Sequence, residues 1–338
     1  MARFSAVRRR LHQSMFGAAA ALFACSAIYS GPAWSEAADW PNRPIQMIVP
    51  FPPGSSPDTL ARMFAEPMSQ KLGQPVVVEN KPGAGGNIGT RQGAQAKPDG
   101  YTLLVTINGP IVTAPALYKN TLNYDPDKDL QVVSILGTSP NVLVVPADAP
   151  ADNVQQFVAR ARAKPGELNY GTVGPGSSAH LAMAMLEQDA GISLLQIPYA
   201  GFPQVITSIV AGDVHAGFMV PGVAMPQVRA GKVKALGITS LQESDVLPGI
   251  PTVASQGFPG FESISWNALF VPKGTPDEIV QKLNRLVNEI QDMPEVKKQF
   301  ATLYFTPAHT TPAEAEEMIR GEKAKLGALI ERLGITLD

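Results

Sequence analysis

The chain has 338 residues, 45% hydrophobic and 17% charged, enough to bury a core in each of two domains. Its formal net charge is −2. The first 35 residues carry Arg3, Arg8, Arg9 and Arg10 and no acid, so the remainder holds 23 basic against 29 acidic residues. That balance argues against a nucleic-acid binder or a membrane-surface protein, and an anionic ligand would have to be held by its site rather than drawn in by overall charge.

The chain opens as an export signal does. "MARFSAVRRRLHQ" is a basic start, "SMFGAAAALFACSAIYS" a short apolar run, and "PAWSEAA" offers small residues for cleavage after Ser35 or Ala37. The apolar run is too short for a comfortable membrane span, and no later segment resembles one. The expected location is therefore periplasmic. Cys25, the only cysteine, lies in "LFAC". It either becomes a lipidated first residue, a motif that Phe23 fits poorly, or is discarded with the signal. Either way the folded part has no disulfide and no thiol nucleophile.

Strands then alternate with helices. Ile45–Val49 reads as a strand, Ser56–Leu72 as a helix that Pro67 should kink, and Val76–Val78 as a second strand. A glycine-rich turn leads to a helix near Asn87–Ala96 and a strand at Thr102–Thr106. This βαβαβ order implies a parallel sheet covered on both faces. The pattern repeats with strands at Val142–Val145, Leu168–Thr172, Leu194–Ile197, Val214–Met219 and Lys234–Ile238, and with helices at Asn153–Ala163 and Ser178–Ala190. Thr275-Pro276-Asp277-Glu278 and Thr311-Pro312-Ala313-Glu314 read as capping boxes opening two late helices. "LGTSPNVLVVP" and "ESISWNALFVP" are candidate crossings between two lobes, with a cleft between them.

Four stretches could carry chemistry. In "FPPGSSPDTLAR" a strand ends in small residues at a helix start, with Ser56 at the expected N-cap, Pro57 next and Asp58 in the first turn. Ser56 and Asp58 either only cap the helix or, with Gly54 and Ser55, line a carboxylate socket. "KPGAGGNIG" has a dinucleotide loop's position without its spacing: counting from Gly83, the third glycine should fall at Ile88. It reads as a structural loop. "NYGTVGPGSSAHLAMAML" repeats the first chemistry, with Thr172, Gly174, Gly176, Ser177 and Ser178 able to present hydroxyls and N–H groups. His180 there more often bonds structurally than catalyses. In "IPYAGFPQVITSIVAGDVHAGFMVP", Tyr199 could meet a ligand or bury its ring, and His215 reads as structural. Hydrolase and metal-ligand motifs are missing, so no metal, cofactor or catalytic set is expected.

"VPFPPGSSPDTLAR", "LGQPVVVENKPGAGGNIGT", "KPDGYTLL", "PGELNYGTVGPGSSAHL", "IPYAGFPQVITSIVAGDV" and "GIPTVASQGFPGF" stand in the order found in the Bug/TctC proteins, and from about Trp40 onward the chain resembles that family. These are periplasmic solute-binding components of tripartite tricarboxylate transporters. The resemblance implies an α/β, type II periplasmic-binding fold: two α/β lobes, residues 40–140 with 265–338 and residues 141–264, around a ligand cleft. It implies a small carboxylate ligand held by backbone N–H groups, hydroxyls and waters at two loop-to-helix junctions. By motif match Phe51, Gly54, Ser55, Ser56 and Asp58 form one wall, and Thr172, Gly174, Gly176, Ser177 and Ser178 the other. Pro53, Asn108 and Tyr199 complete the candidate lining. Ser55 replaces a frequent family glycine. Met219 and Val220 stand where an acid often follows the phenylalanine, which disfavours an amino-acid ligand and favours a less polar acid. The expected function is capture of a di- or tricarboxylate or an aromatic acid by a monomer that delivers it to membrane transporter subunits. A ligand sensor and a secreted hydrolase using Ser177 and His180 are the alternatives.

Overall fold

The computed structural model describes residues 40–338, and residues 41–338 fold as one compact unit. The export signal expected over residues 1–35 and the single cysteine, Cys25, lie outside the described residues. Strand β1 (Ile45–Val49) pairs in parallel with β2 (Val76–Asn80) and β3 (Thr102–Ile107). Helix α1 (Ser56–Leu72) covers this sheet with Leu60, Phe64 and Met68 fully buried, and it runs through Pro67 without interruption. Helix α2 (Asn87–Ala94) covers the same region, with Gly93 close against Leu104. A π-helical turn, Gly109–Thr113, follows β3 and continues into α3 (Ala114–Leu117).

Two long strands complete the first sheet: β4 (Leu130–Pro140), preceded by the short α4 (Pro126–Asp129), and the antiparallel β10 (Ile264–Pro272), giving the order β2-β1-β3-β10-β4. Strand β4 leads on into a second sheet. After Asn141, β4 becomes β5 (Val142–Pro146), centre of a three-stranded sheet with β8 (Gly217–Met219) and β9 (Val233–Ile238). Here the sequence expectation needs correction. Because β5 enters directly from the first lobe, it runs antiparallel to β8 and β9, so this half does not repeat the all-parallel pattern. The parallel pair β6 (Asn169–Thr172) and β7 (Leu195–Pro198) extends it through a bridge from Tyr170 to Ala216. Helices α5 (Val154–Ala163), α6 (Ser178–Ala190), α7 (Phe202–Ala211) and α8 (Pro221–Arg229) belong to this lobe. Helices α9 (Asp277–Gln291), α10 (Pro294–Thr302) and α11 (Pro312–Leu333) return to the first.

The two expected capping boxes differ in outcome. Thr311 and Glu314 bond reciprocally at the start of α11. Thr275 does not cap α9: its hydroxyl donates to the Pro272 carbonyl at 2.8 Å, and Pro276 occupies the N-cap position. Helix α1 spans the expected Ser56–Leu72, but its N-cap is Ser55, and Ser56, expected to cap it, is the first helical residue.

The β4–β10 ribbon carries two register shifts, after Asn267 and after Leu269, that leave Leu136 and Val133 of β4 without strand partners. Their carbonyls cannot go unpaired in the core. Helix α9 supplies the donors. Buried Gln291 donates to the carbonyls of Leu136 at 2.7 Å and Ile135 at 3.1 Å, and Asn284 to that of Val133 at 2.9 Å. Gln291→Leu should therefore cost about 1–3 kcal/mol of stability in urea unfolding, the penalty of an orphaned buried carbonyl. Glu289→Gln, which removes only an exposed pair with Lys71, should change it by less than about 1 kcal/mol.

Candidate functional site

The two crossings and both lobes enclose a cavity of about 510 Å³. Its first wall starts where β1 ends. Phe51 is half-buried, and a Cβ on Gly86, whose φ is +98°, would lie 2.6 Å from its ring. The glycine-rich loop thus seats an aromatic wall. Asp58, expected to face a ligand, turns inward and is 2% exposed. It accepts the Gly54 N–H at 2.8 Å, the Asn80 amide at 2.8 Å and the Arg62 guanidinium at 3.0 Å. Burial pushes the Asp58 carboxyl up, but these bonds outweigh it and hold the group below the usual carboxylate range. Ser55 gives both its hydroxyl and its N–H to the Pro52 carbonyl. Ser56, the first residue of α1, is exposed and lines the cavity together with Phe51, Gly54 and Ser55, whereas Pro53 is exposed outside the lining.

The second junction is more self-contained than its sequence suggests. Thr172 is fully buried, and its hydroxyl oxygen accepts the Gly174 N–H and the Gln196 amide. Ser177 donates to the Gly174 carbonyl at 2.7 Å and caps α6 by accepting the His180 N–H. The Gly176 N–H goes to His180 Nδ1 at 3.0 Å. Burial pushes His180 below the usual imidazole range, which keeps that nitrogen an acceptor. A Cβ on Gly176 would lie 2.6 Å from Leu117, so this glycine is where the second lobe meets the first. Tyr199 packs in the second-lobe core and its N–H bonds the Thr172 carbonyl. Of these residues only Ser178, first in α6, lines the cavity. Thr172, Gly174, Gly176, Ser177 and Tyr199 shape the loop instead, because their polar groups bond each other. Ser177 and His180 likewise do not form a nucleophile–base pair: the hydroxyl proton points to a carbonyl and the ring nitrogen to a backbone N–H.

Four helices, α1, α6, α7 and α8, contribute residues at their starts to the lining: Ser56, Ser178, Phe202 and Pro221. Among the described residues, no lysine, arginine, histidine or acid lines it. First-turn N–H groups and the positive ends of four helices are therefore the groups that can face an anion. Asn108 lines the cavity as expected, its amide donating to Glu322 at 3.0 Å.

The site also includes residues the sequence reading passed over. Asn141 and Asn267 are both 1% exposed, line the cavity and carry side-chain atoms with no hydrogen-bond partner in the protein. A signal for them was present. The crossings share the spacing S-x-N-x-L-x-V-P, from Ser139 to Pro146 and from Ser265 to Pro272.

The family described as TctC, tripartite tricarboxylate transporter family receptor, matches residues 60–335. Protein BugT of Bordetella pertussis is 36% identical over 298 residues, 88% of this chain and 91% of the relative. An R. palustris protein solved with adipate superimposes with a TM-score of 0.76 at 30% identity, covering 88% of this chain and all of that one. MatC from Rhodopseudomonas palustris, solved with bound malate, gives 0.71 at 31% identity over 86% of this chain and all of that one.

Behind the cavity, Glu322 of α11 accepts from Asn108 and from the Trp266 indole N–H. Burial pushes its carboxyl above the ordinary value near 4.5. The folded state then binds more protons than the unfolded chain between that value and the raised one, so ionising Glu322 costs stability as pH rises through this window. Measured by urea unfolding from pH 4 to 8, wild type should lose stability relative to Glu322→Gln as pH rises, then run parallel to it. A difference independent of pH would show that Glu322 titrates normally.

Proposed function

Since this chain belongs to the TctC family of tripartite tricarboxylate transporter receptors, we propose that it is an exported, monomeric solute-binding protein that captures a small acid in the interlobe cavity and hands it to membrane transporter subunits. The observation that carries this reading is a cavity with four helix N-termini and no charged side chain. Such a site suits a carboxylate, which accepts hydrogen bonds and favours the positive ends of helices. It offers no carboxylate to an ammonium group, so an amino acid would leave its cation unpaired. Phe51, Phe202, Trp266 and Phe305 add four aromatic rings to the walls, which favours an acid with an apolar body. That proteins similar to this one have been solved with adipate and with bound malate supports a carboxylate ligand here.

We place the lobes at residues 40–140 with 265–338 and at 141–264, hinged on the two crossings. In this arrangement they touch through Leu117 against Gly176 and through Arg229, which donates to the Tyr304 hydroxyl at 2.6 Å. Among the described residues no helix is long and apolar enough to cross a membrane, which fits a receptor that meets its transporter from outside the bilayer.

A thermal-shift screen with aliphatic and aromatic acids, adipate, malate and benzoate among them, is the first test. At least one should stabilise the protein, and failure of all would overturn the reading. Ser178→Ala should weaken the binding of such an acid by about 1 kcal/mol, roughly fivefold in Kd. Affinity by calorimetry should vary less than about threefold between low and moderate salt, because buried hydrogen bonds are screened little. A saturating acid should also reduce the radius of gyration in small-angle scattering as the lobes close.

A further inference from the structure

Among residues 40–338 the buried amides of Asn284 and Gln291 reach backbone carbonyls, while the buried side-chain oxygens of Thr90, Thr106, Ser240 and Asn288, outside the cavity lining, have no partner among the described residues. Asn141 and Asn267 are equally buried, yet the amide nitrogen and oxygen of Asn141 and the amide oxygen of Asn267 have no partner in the protein. Leaving such a group unmet costs on the order of 1–3 kcal/mol, so two of them in one cavity point to polar groups brought by a ligand. Each occupies the same place in S-x-N-x-L-x-V-P, one where β4 passes into the second lobe and one inside β10. A register shift in the β4–β10 pairing lies directly after Asn267, and such bulges are common beside binding sites.

The chemistry of an amide limits what can satisfy it. Whichever way its side chain is turned, an asparagine presents a donor end and an acceptor end. A carboxylate has acceptors only, so it can meet the donor ends and the helix N-termini but never the acceptor ends. Those need an O–H or N–H, brought by the ligand or by a water it holds in place. With no acid among the lining residues, that donor is neutral, hence a hydroxyl or an amide N–H. The aromatic walls of Phe51, Phe202, Trp266 and Phe305 suit a planar apolar body, and about 510 Å³ accommodates a ring with two polar substituents.

We propose, building on the carboxylate-binding reading above, that Asn141 and Asn267 are specificity-determining residues that recognise a neutral hydrogen-bond donor on the ligand, and that the cleft takes a hydroxylated aromatic acid in preference to a plain aromatic acid or a plain dicarboxylate. Calorimetry on the full-length mature protein with the three hydroxybenzoate isomers, benzoate and adipate tests this. At least one hydroxybenzoate should bind ten times or more tighter than benzoate and adipate, because a site built for a hydroxyl leaves its own groups unpaired with the analogue that lacks one. In Asn141→Leu or Asn267→Leu that advantage should shrink to about twofold, with benzoate affinity changed less than about threefold. Both variants should keep the melting temperature of the ligand-free protein or raise it, since neither side chain's unmet atoms contribute a bond to the fold. Asn141→Ala and Asn267→Ala repeat the comparison where leucine crowds the cleft.

The proposal is overturned if benzoate or adipate binds as tightly as every hydroxybenzoate. It is equally overturned if the hydroxyl advantage survives in all four variants, or if the leucine variants melt well below wild type and so reveal a structural use for the amides. Failure of every acid to bind is a separate result, because it removes the carboxylate-binding reading itself.

Discussion

The constraint on which the rest depends is that the buried strand β4, paired with β10 through the first sheet, must also lead into the second. Each belongs to the first sheet along most of its length, and β4 then leaves it at Asn141 to become the centre of another. A ribbon in this position cannot be exchanged for a loop, because its backbone groups would be buried without partners. It is also not perfectly regular: it carries two register shifts, and the carbonyls they strand are met by Asn284 and Gln291 from α9. On the cavity side, the Ser139 hydroxyl ties the ribbon to the Tyr304 carbonyl at 2.8 Å. The ribbon is thus held from behind by a helix and from the side by a loop, with Asn141 and Asn267 among the residues that line the cavity.

That rigidity explains how an anion can be held without a cation. A lysine or arginine in a cleft walled by Phe51, Phe202, Trp266 and Phe305 would lose several kcal/mol of hydration in the ligand-free protein. A helix N-terminus carries roughly half a positive charge with its N–H groups already oriented, and each contributes about 0.3–2 kcal/mol to a bound anion. Four of them give an attraction comparable to a salt bridge with little desolvation of protein charge. On the proposed reading the same arithmetic lets a chain whose residues 36–338 are net acidic hold an acid: the field that matters acts over one helical turn, well inside the screening length of the solvent.

Much of the fold was legible because strand and helix periods alternate cleanly from Ile45 to Ile238, and because glycine-rich and proline-rich turns mark the junctions. The antiparallel arrangement of the second sheet was not, since strand direction follows from where β5 enters and no local residue encodes it. The candidate site was legible only in part. Phe51, Gly54, Ser55, Ser56, Asn108 and Ser178 do line the cavity. Asp58, Thr172, Gly176 and Ser177 have the chemistry of ligand contacts, but each is bonded to its own loop, and a donor's or acceptor's partner is a three-dimensional fact. Asn141 and Asn267 were visible as a repeated spacing, yet an asparagine in a strand reads as unremarkable until its burial is known.

The division between these two groups follows one physical rule. A loop that must present a few N–H groups at fixed positions loses affinity if it reorganises on binding, so its remaining polar groups are consumed internally. Asp58 holds Gly54, Thr172 holds Gly174, and a neutral His180 holds Gly176. These residues determine where Ser56 and Ser178 stand without touching what those serines face. Removing one would therefore weaken binding by loosening a junction, whereas removing a lining group would weaken it by deleting a contact. Two questions together pick out Asn141 and Asn267: which buried polar groups the fold leaves without a partner among the described residues, and which of those residues line the cavity.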